Sequence, residues 1–215
     1  MTGGARTLLA SILGAALASA APAASVSLLL LQSDGRPLAN AVLAAVPLDG
    51  RPLPPPANAV MDQRQRRFAP QILPVQTRAR VTFPNSDNVS HHVYSFSTAK
   101  RFQLYLTKGE APKEVTFDRP GVVTLGCNLH DWMLGYILVV DTPYFAVTDD
   151  NGRARVGGLA AGAYRLEVWH PRFPDPKVRY AREVRLEDGK PEVWDLHLER
   201  PLLPARDQKP GFVEY

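Results

Sequence analysis

The chain has 215 residues, 45% hydrophobic and 21% charged, with 15 glycines, 20 prolines and one cysteine. This composition excludes a disordered or collagen-like chain and leaves room for one large or two small domains, and a lone cysteine excludes any intramolecular disulfide. Lys plus Arg 25 against Asp plus Glu 21 leaves a net charge of +4, too small and too scattered an excess to argue for a nucleic-acid partner.

At the start, Arg6 precedes the apolar run Thr7 to Leu17, and the small residues Ala18-Ser19-Ala20 follow. A charged start, a short apolar segment and a small-x-small site are the order of a secretory signal peptide, here residues 1–20. The rival reading joins this run to Leu28-Leu29-Leu30-Leu31 as a membrane anchor of about 20 residues; Pro22 and the intervening small residues argue against it. Cleavage places the mature protein in the periplasm or outside the cell, with no further stretch apolar enough to span a bilayer.

Beyond the leader, short alternating or apolar runs bounded by Gly, Pro, Asn and Asp predict an all-β chain. Val26 to Gln32 and Ala41 to Val46 read as strands on either side of the turn Asp34-Gly35-Arg36-Pro37. Pro52 to Pro56 is a connector, and Arg64, Arg66 and Arg67 read as a solvated basic face. Strands are expected at Ile72 to Val75, Ala79 to Phe83, Val93 to Phe96, Phe102 to Leu106, Val115 to Phe117 and Val122 to Leu125, spacing that predicts a sandwich. From Phe145 the texture changes. Asn151-Gly152 between alternating runs predicts a hairpin, Gly162 a second tight turn, and Val193 to Leu198 a closing strand. Residues 201–215 read as a surface or disordered tail.

The chemistry concentrates between Val122 and Val140. One β run ends at Cys127 and the next opens at Leu134, so the short loop between them points Cys127, His130 and Met133 at one place. Thiolate, imidazole and thioether together suit a soft or borderline metal, with copper the natural occupant. A second imidazole is needed, and His91-His92 supplies it; neighbours on a strand face opposite ways, so only one of them can point at the metal. An exported free thiol is an oxidation liability that ligation removes. His170 and His197 read as structural.

The pattern C-x2-H-x2-M of Cys127, His130 and Met133, with Val81-x-Phe83-x-Asn85 and His91-x-Val93 upstream and Phe117-x-x-Pro120-Gly121 before the loop, resembles the cupredoxins, the blue type 1 copper proteins. The loop length is amicyanin-like. The phrases His91 to Ser97 and Gly126 to Met133 are similar to periplasmic cupredoxin-like proteins of methylamine utilisation. The resemblance implies a Greek-key cupredoxin sandwich over residues 58–142 and one type 1 copper ion, with His91, Cys127 and His130 equatorial and Met133 axial. His92 in place of the family's asparagine clamp, and Asp131 in place of a proline, depart from the pattern.

Thr148 to Leu166 resembles carboxypeptidase regulatory-like (transthyretin-like) β-sandwiches, and Asp34-Gly35-Arg36-Pro37-Leu38 with Ala41-Val42 resembles their opening hairpin. Residues 25–50 and 143–200 are therefore expected to form one discontinuous sandwich with the copper domain inserted. The resulting expectation is an electron carrier rather than an enzyme, working with a redox partner protein such as a dehydrogenase or a c-type cytochrome. A copper-delivery or assembly module, distinguished by a labile, colourless Cu(I) site, and a structural sandwich with a vestigial site are the alternatives.

Overall fold

A computed structural model describes residues 23–175 and 179–205; the expected signal segment 1–20 and residues 206–215 of the expected tail lie outside the described residues. The strands are β1 (Ala24–Leu31), β2 (Val42–Pro47), β3 (Ala59–Val60), β4 (Asp62–Arg64), β5 (Arg67–Ala69), β6 (Ile72–Gln76), β7 (Arg80–Phe83), β8 (His91–Phe96), β9 (Arg101–Leu106), β10 (Lys113–Thr116), β11 (Gly121–Cys127), β12 (Leu134–Val140), β13 (Phe145–Val147), β14 (Arg153–Leu159), β15 (Gly162–Trp169), β16 (Tyr180–Leu186) and β17 (Pro191–His197). The described chain is all-β, as expected, and its sheets pack face to face. No helix among the described residues is long and apolar enough to cross a membrane.

Val42-Leu43-Ala44-Ala45 and Ile137-Leu138-Val139-Val140 are apolar at every position rather than at alternate ones, and all eight residues are buried. A strand buries both faces only when layers cover both. Sheets β14-β1-β17 and β13-β2-β15-β16 share one core, which takes Leu43 and Ala45 from β2 together with Leu30, Tyr164 and Leu166. Sheets β10-β7-β3 and β6-β12-β11-β8-β9 share another, which takes Ile137 and Val139 from β12 with Phe83, Phe117 and Cys127. The opposite faces of β2 and β12 meet in a third cluster, Val42, Ala44, Ile72, Leu138, Val140 and Trp169. The four sheets thus stack as layers.

The ladders of β1 run to β14 and, in parallel, to β17, while those of β2 run to β13 and β15. Neither strand pairs with any strand between β3 and β12.

The hairpin expected at Asn151-Gly152 is not formed. A turn is present, with the Asp149 carboxylate accepting from the Asn151 and Arg153 N–H groups at 2.9 and 2.8 Å, but β13 and β14 leave it into different sheets. The reason is the neighbour: Leu30 N–H donates to Gly152 O at 2.8 Å, and a Cβ on Gly152, at φ 70°, would lie 2.4 Å from Leu30 O. The turn is seated on β1, so β14 continues along β1 while β13 stays with β2. The Asp34-Gly35 turn does fold the chain back, with Gln32 N–H donating to Arg36 O at 2.8 Å and Leu31 bridging Pro37, but β2 then joins a different sheet from β1.

Candidate metal centre

β11 and β12 pair antiparallel from Gly121↔Val139 to Gly126↔Leu134, so Asn128 to Met133 is the loop of a true hairpin. Each side of the hairpin has a glycine under an aromatic ring. A Cβ on Gly126 would lie 2.6 Å from the Tyr94 ring, and one on Gly135 would lie 2.8 Å from Phe68. The rings therefore rest on bare backbone and bracket the loop from both sides. Within the loop, Met133 N–H donates to His130 O, and Asn128 N–H ties the loop to β8 through His92 O, both at 3.0 Å.

On β8 the two adjacent histidines part as strand geometry requires. His91 turns inward, 0% exposed, with Nδ1 3.8 Å from Cys127 Sγ. From the loop, His130 Nδ1 lies 3.7 Å from the same sulfur, and the two imidazole rings are 4.9 Å apart. One donor atom from each of His91, Cys127 and His130 falls within 4.8 Å of the others. Met133 is buried in the same apolar core as Cys127.

His92 faces the other way, stacked on Tyr105 at 3.9 Å. Its Nδ1 accepts from Asn128 Nδ2 at 2.9 Å, leaving Nε2–H for Gln103 Oε1 at 3.2 Å. In this chain the strand-to-loop tie runs through the His92 ring and Asn128, where the resembled family uses an asparagine. Asp131 is exposed on the loop.

Sequence reasoning missed Asn128 and also Asp87, whose Oδ2 lies 2.9 Å from His91 Nε2. A carboxylate four residues before a candidate ligand was the available signal. It missed the β4–β5 hairpin as well: the side chains of Arg64, Arg66 and Arg67 are exposed, as expected, but Arg64 pairs with Arg67 in a short ladder and Arg66 lies in its turn.

Electrostatics favour a thiolate among imidazoles. Burial pushes the Cys127 thiol up, but hydrogen bonding from His91 and from backbone at His92, Leu129 and His130 outweighs it and holds the thiol below its ordinary value. Burial pulls His91 down, yet Cys127 and Asp87 together carry it above the ordinary histidine value. Burial, and then the charge of His91, lower His130.

The separations also fit one ion. With about 2.3 Å to sulfur and about 2.0 Å to nitrogen, a trigonal angle puts the two donors about 3.7 Å apart and a tetrahedral angle about 3.5 Å. The observed 3.8 and 3.7 Å are of the size that one ion shared by the thiolate and each imidazole requires.

No protein-family model matches the chain, and no curated protein matches it. Solved structures do. The chain is similar to a purple cupredoxin from Nitrosopumilus maritimus at 25% identity, covering 38% of this chain and 99% of that one with a TM-score of 0.34. It is similar to a mutant amicyanin in the Cu(I) state at 22% identity, covering 39% of this chain and 82% of that one with a TM-score of 0.35. Similarity to a copper-containing nitrite reductase from Thermus scotoductus, at 20% identity, covers 52% of this chain and 28% of that one with a TM-score of 0.37.

Proposed function

We propose that this chain is an exported type 1 copper protein that carries single electrons between redox partners. The observation behind this reading is the convergence of His91 Nδ1, Cys127 Sγ and His130 Nδ1, with sulfur-to-nitrogen separations of 3.8 and 3.7 Å. His91, Cys127 and His130 would hold the metal, with the Met133 thioether as a weaker fourth donor. Bound there, copper supplies a one-electron Cu(II)/Cu(I) couple.

The remaining requirements fall to the chain. His91 and Cys127, 0% and 2% exposed, keep water from the donor atoms. Donors held by a hairpin and a packed sheet would move little between oxidation states, which would keep reorganisation small. Half-buried His130 brings an imidazole edge toward solvent beside exposed Leu129, with the Trp132 ring 5.4 Å away; this edge is where a partner would exchange electrons. A periplasmic location rests on the leader read in the sequence. A dehydrogenase or c-type cytochrome as partner, and methylamine utilisation as pathway, rest on the sequence phrases alone. The ladders of β1 and β2 support reading residues 25–50 and 143–200 as one sandwich interrupted by residues 58–142.

The visible spectrum of the Cu(II)-loaded protein tests this reading. An intense thiolate-to-copper band, lost in Cys127→Ser, is expected; a colourless wild type, or colour that survives the substitution, sinks it.

A further inference from the structure

Asp87 is held with more care than an ordinary surface carboxylate. Its side chain is 10% exposed, against 0% for the His91 ring it faces. Besides lying 2.9 Å from His91 Nε2, Oδ2 accepts the Arg66 N–H at 2.8 Å, and Oδ1 accepts the Gln65 N–H. Gln65 and Arg66 form the two-residue connection between β4 and β5, both at φ 54°, the left-handed pair of a tight hairpin turn. The segment before His91 is itself pinned. Asn85 Nδ2 donates to Val89 O and Leu106 O, each at 2.9 Å, and Asn85 Oδ1 accepts the Asp87 N–H at 3.0 Å.

We propose that Asp87 is a positioning residue for the metal centre: by accepting the His91 Nε2–H it fixes the ring so that the Nδ1 lone pair faces Cys127 Sγ, and its charge favours the more highly charged state of the bound metal. The β4–β5 turn is the device that holds the carboxylate in place. A ligating imidazole has one nitrogen for the metal, and what the other nitrogen bonds decides tautomer, ring rotation and basicity. A neutral acceptor would fix the tautomer without adding charge; a carboxylate does both. This proposal rests on the copper reading for its effect on the metal, while the tautomer is a property of the chain alone.

The test compares wild type with Asp87→Asn, which keeps an oxygen for the turn but removes the charge, and with Asp87→Glu as the conservative variant. Cu(II) affinity should fall about 10- to 100-fold in Asp87→Asn, with a smaller loss for Cu(I). Each tenfold difference between the two losses raises the reduction potential by about 59 mV, and Asp87→Glu should recover most of it. Nitrogen NMR of metal-free wild type, read at a pH where the His91 ring is neutral, should find its single proton on Nε2. A neutral ring protonated on Nδ1, or a potential and Cu(II)-to-Cu(I) affinity ratio unmoved in Asp87→Asn while only thermal stability falls, overturns the proposal. A colourless wild type with the proton on Nε2 instead removes the copper reading and leaves the positioning of His91 standing. If Asp87→Asn fails to fold, the potential of Asp87→Glu and the wild-type tautomer still decide.

Discussion

His170, at the end of β15, and His91, at the start of β8, are both buried, 5% and 0% exposed, yet their surroundings act on them in opposite directions. Around His170 there is burial first and then the Arg172 charge, which together push it down to about 4. Its Nδ1 accepts the Arg172 N–H at 3.2 Å, and Phe173 lies 5.9 Å from its ring. Around His91 the same burial is outweighed by a thiol and a carboxylate. Desolvation alone makes a buried imidazole a neutral packing group; anionic neighbours make it a group that can carry charge or hold a cation.

The sharpest way to break this contrast is to delete each ring in turn. His91→Ala should lower copper affinity by more than about 100-fold, since it removes a direct ligand where loss of a supporting partner already costs about 10- to 100-fold. His170→Ala should leave copper content unchanged, as read by metal analysis after dialysis. Equal losses in both variants would mean that metal is held elsewhere.

Next comes the layer joining the two halves. Trp169 is 1% exposed between β2 and β12, in edge contact with Tyr136 at 5.9 Å. Trp169→Ala should cost about 3–5 kcal/mol in denaturant unfolding. If the shared layer couples the halves, wild type unfolds in one transition and the variant separates it into two.

The acid limb is smaller. Because the folded state holds His170 below its unfolded value of about 6.5, the unfolded chain binds more protons in this window. Stability from this group is therefore full above pH ~6.5 and declines as pH falls toward the folded value of about 4. The loss should reach at most about 3 kcal/mol, and His170→Gln should flatten that part of the stability profile. An unchanged profile would show that other groups carry the acid limb.

Smallest is the tie between strand and loop. Asn128→Ala removes the bond to His92 Nδ1 and should cost about 1 kcal/mol, while shifting or broadening the thiolate band because the loop carrying His130 is less restrained. A band identical to wild type would show that the backbone bond from Asn128 N to His92 O suffices.

Much of this was legible in the chain. Long strands with a clear period announced themselves, and β8, β9, β11 and β12 stand where the apolar runs predicted them, to within a few residues. The short ones did not: β3, β4, β5 and β13 span two or three residues each, too few for any period to register. The β4–β5 turn carries Gln65-Arg66 rather than Asn-Gly, so the usual mark of a left-handed pair was missing. Asn151-Gly152 had that mark and still misled, because a turn signal describes two residues and not which sheets their flanking strands join.

By itself the sequence determined the donor types and their order, Cys127, His130 and Met133 on one loop with a histidine pair upstream, because ligand chemistry is a property of side chains and loop reach follows from spacing. It also determined that the described chain would be all-β, through its periodicity. Only the tertiary structure decided that His91 rather than His92 faces the sulfur, that Asp87 and the β4–β5 turn stand behind it, and that β1 and β2 pair with β13, β14, β15 and β17. Those outcomes depend on which face of a strand is covered and by what, and long-range burial sets that rather than any local pattern of residues.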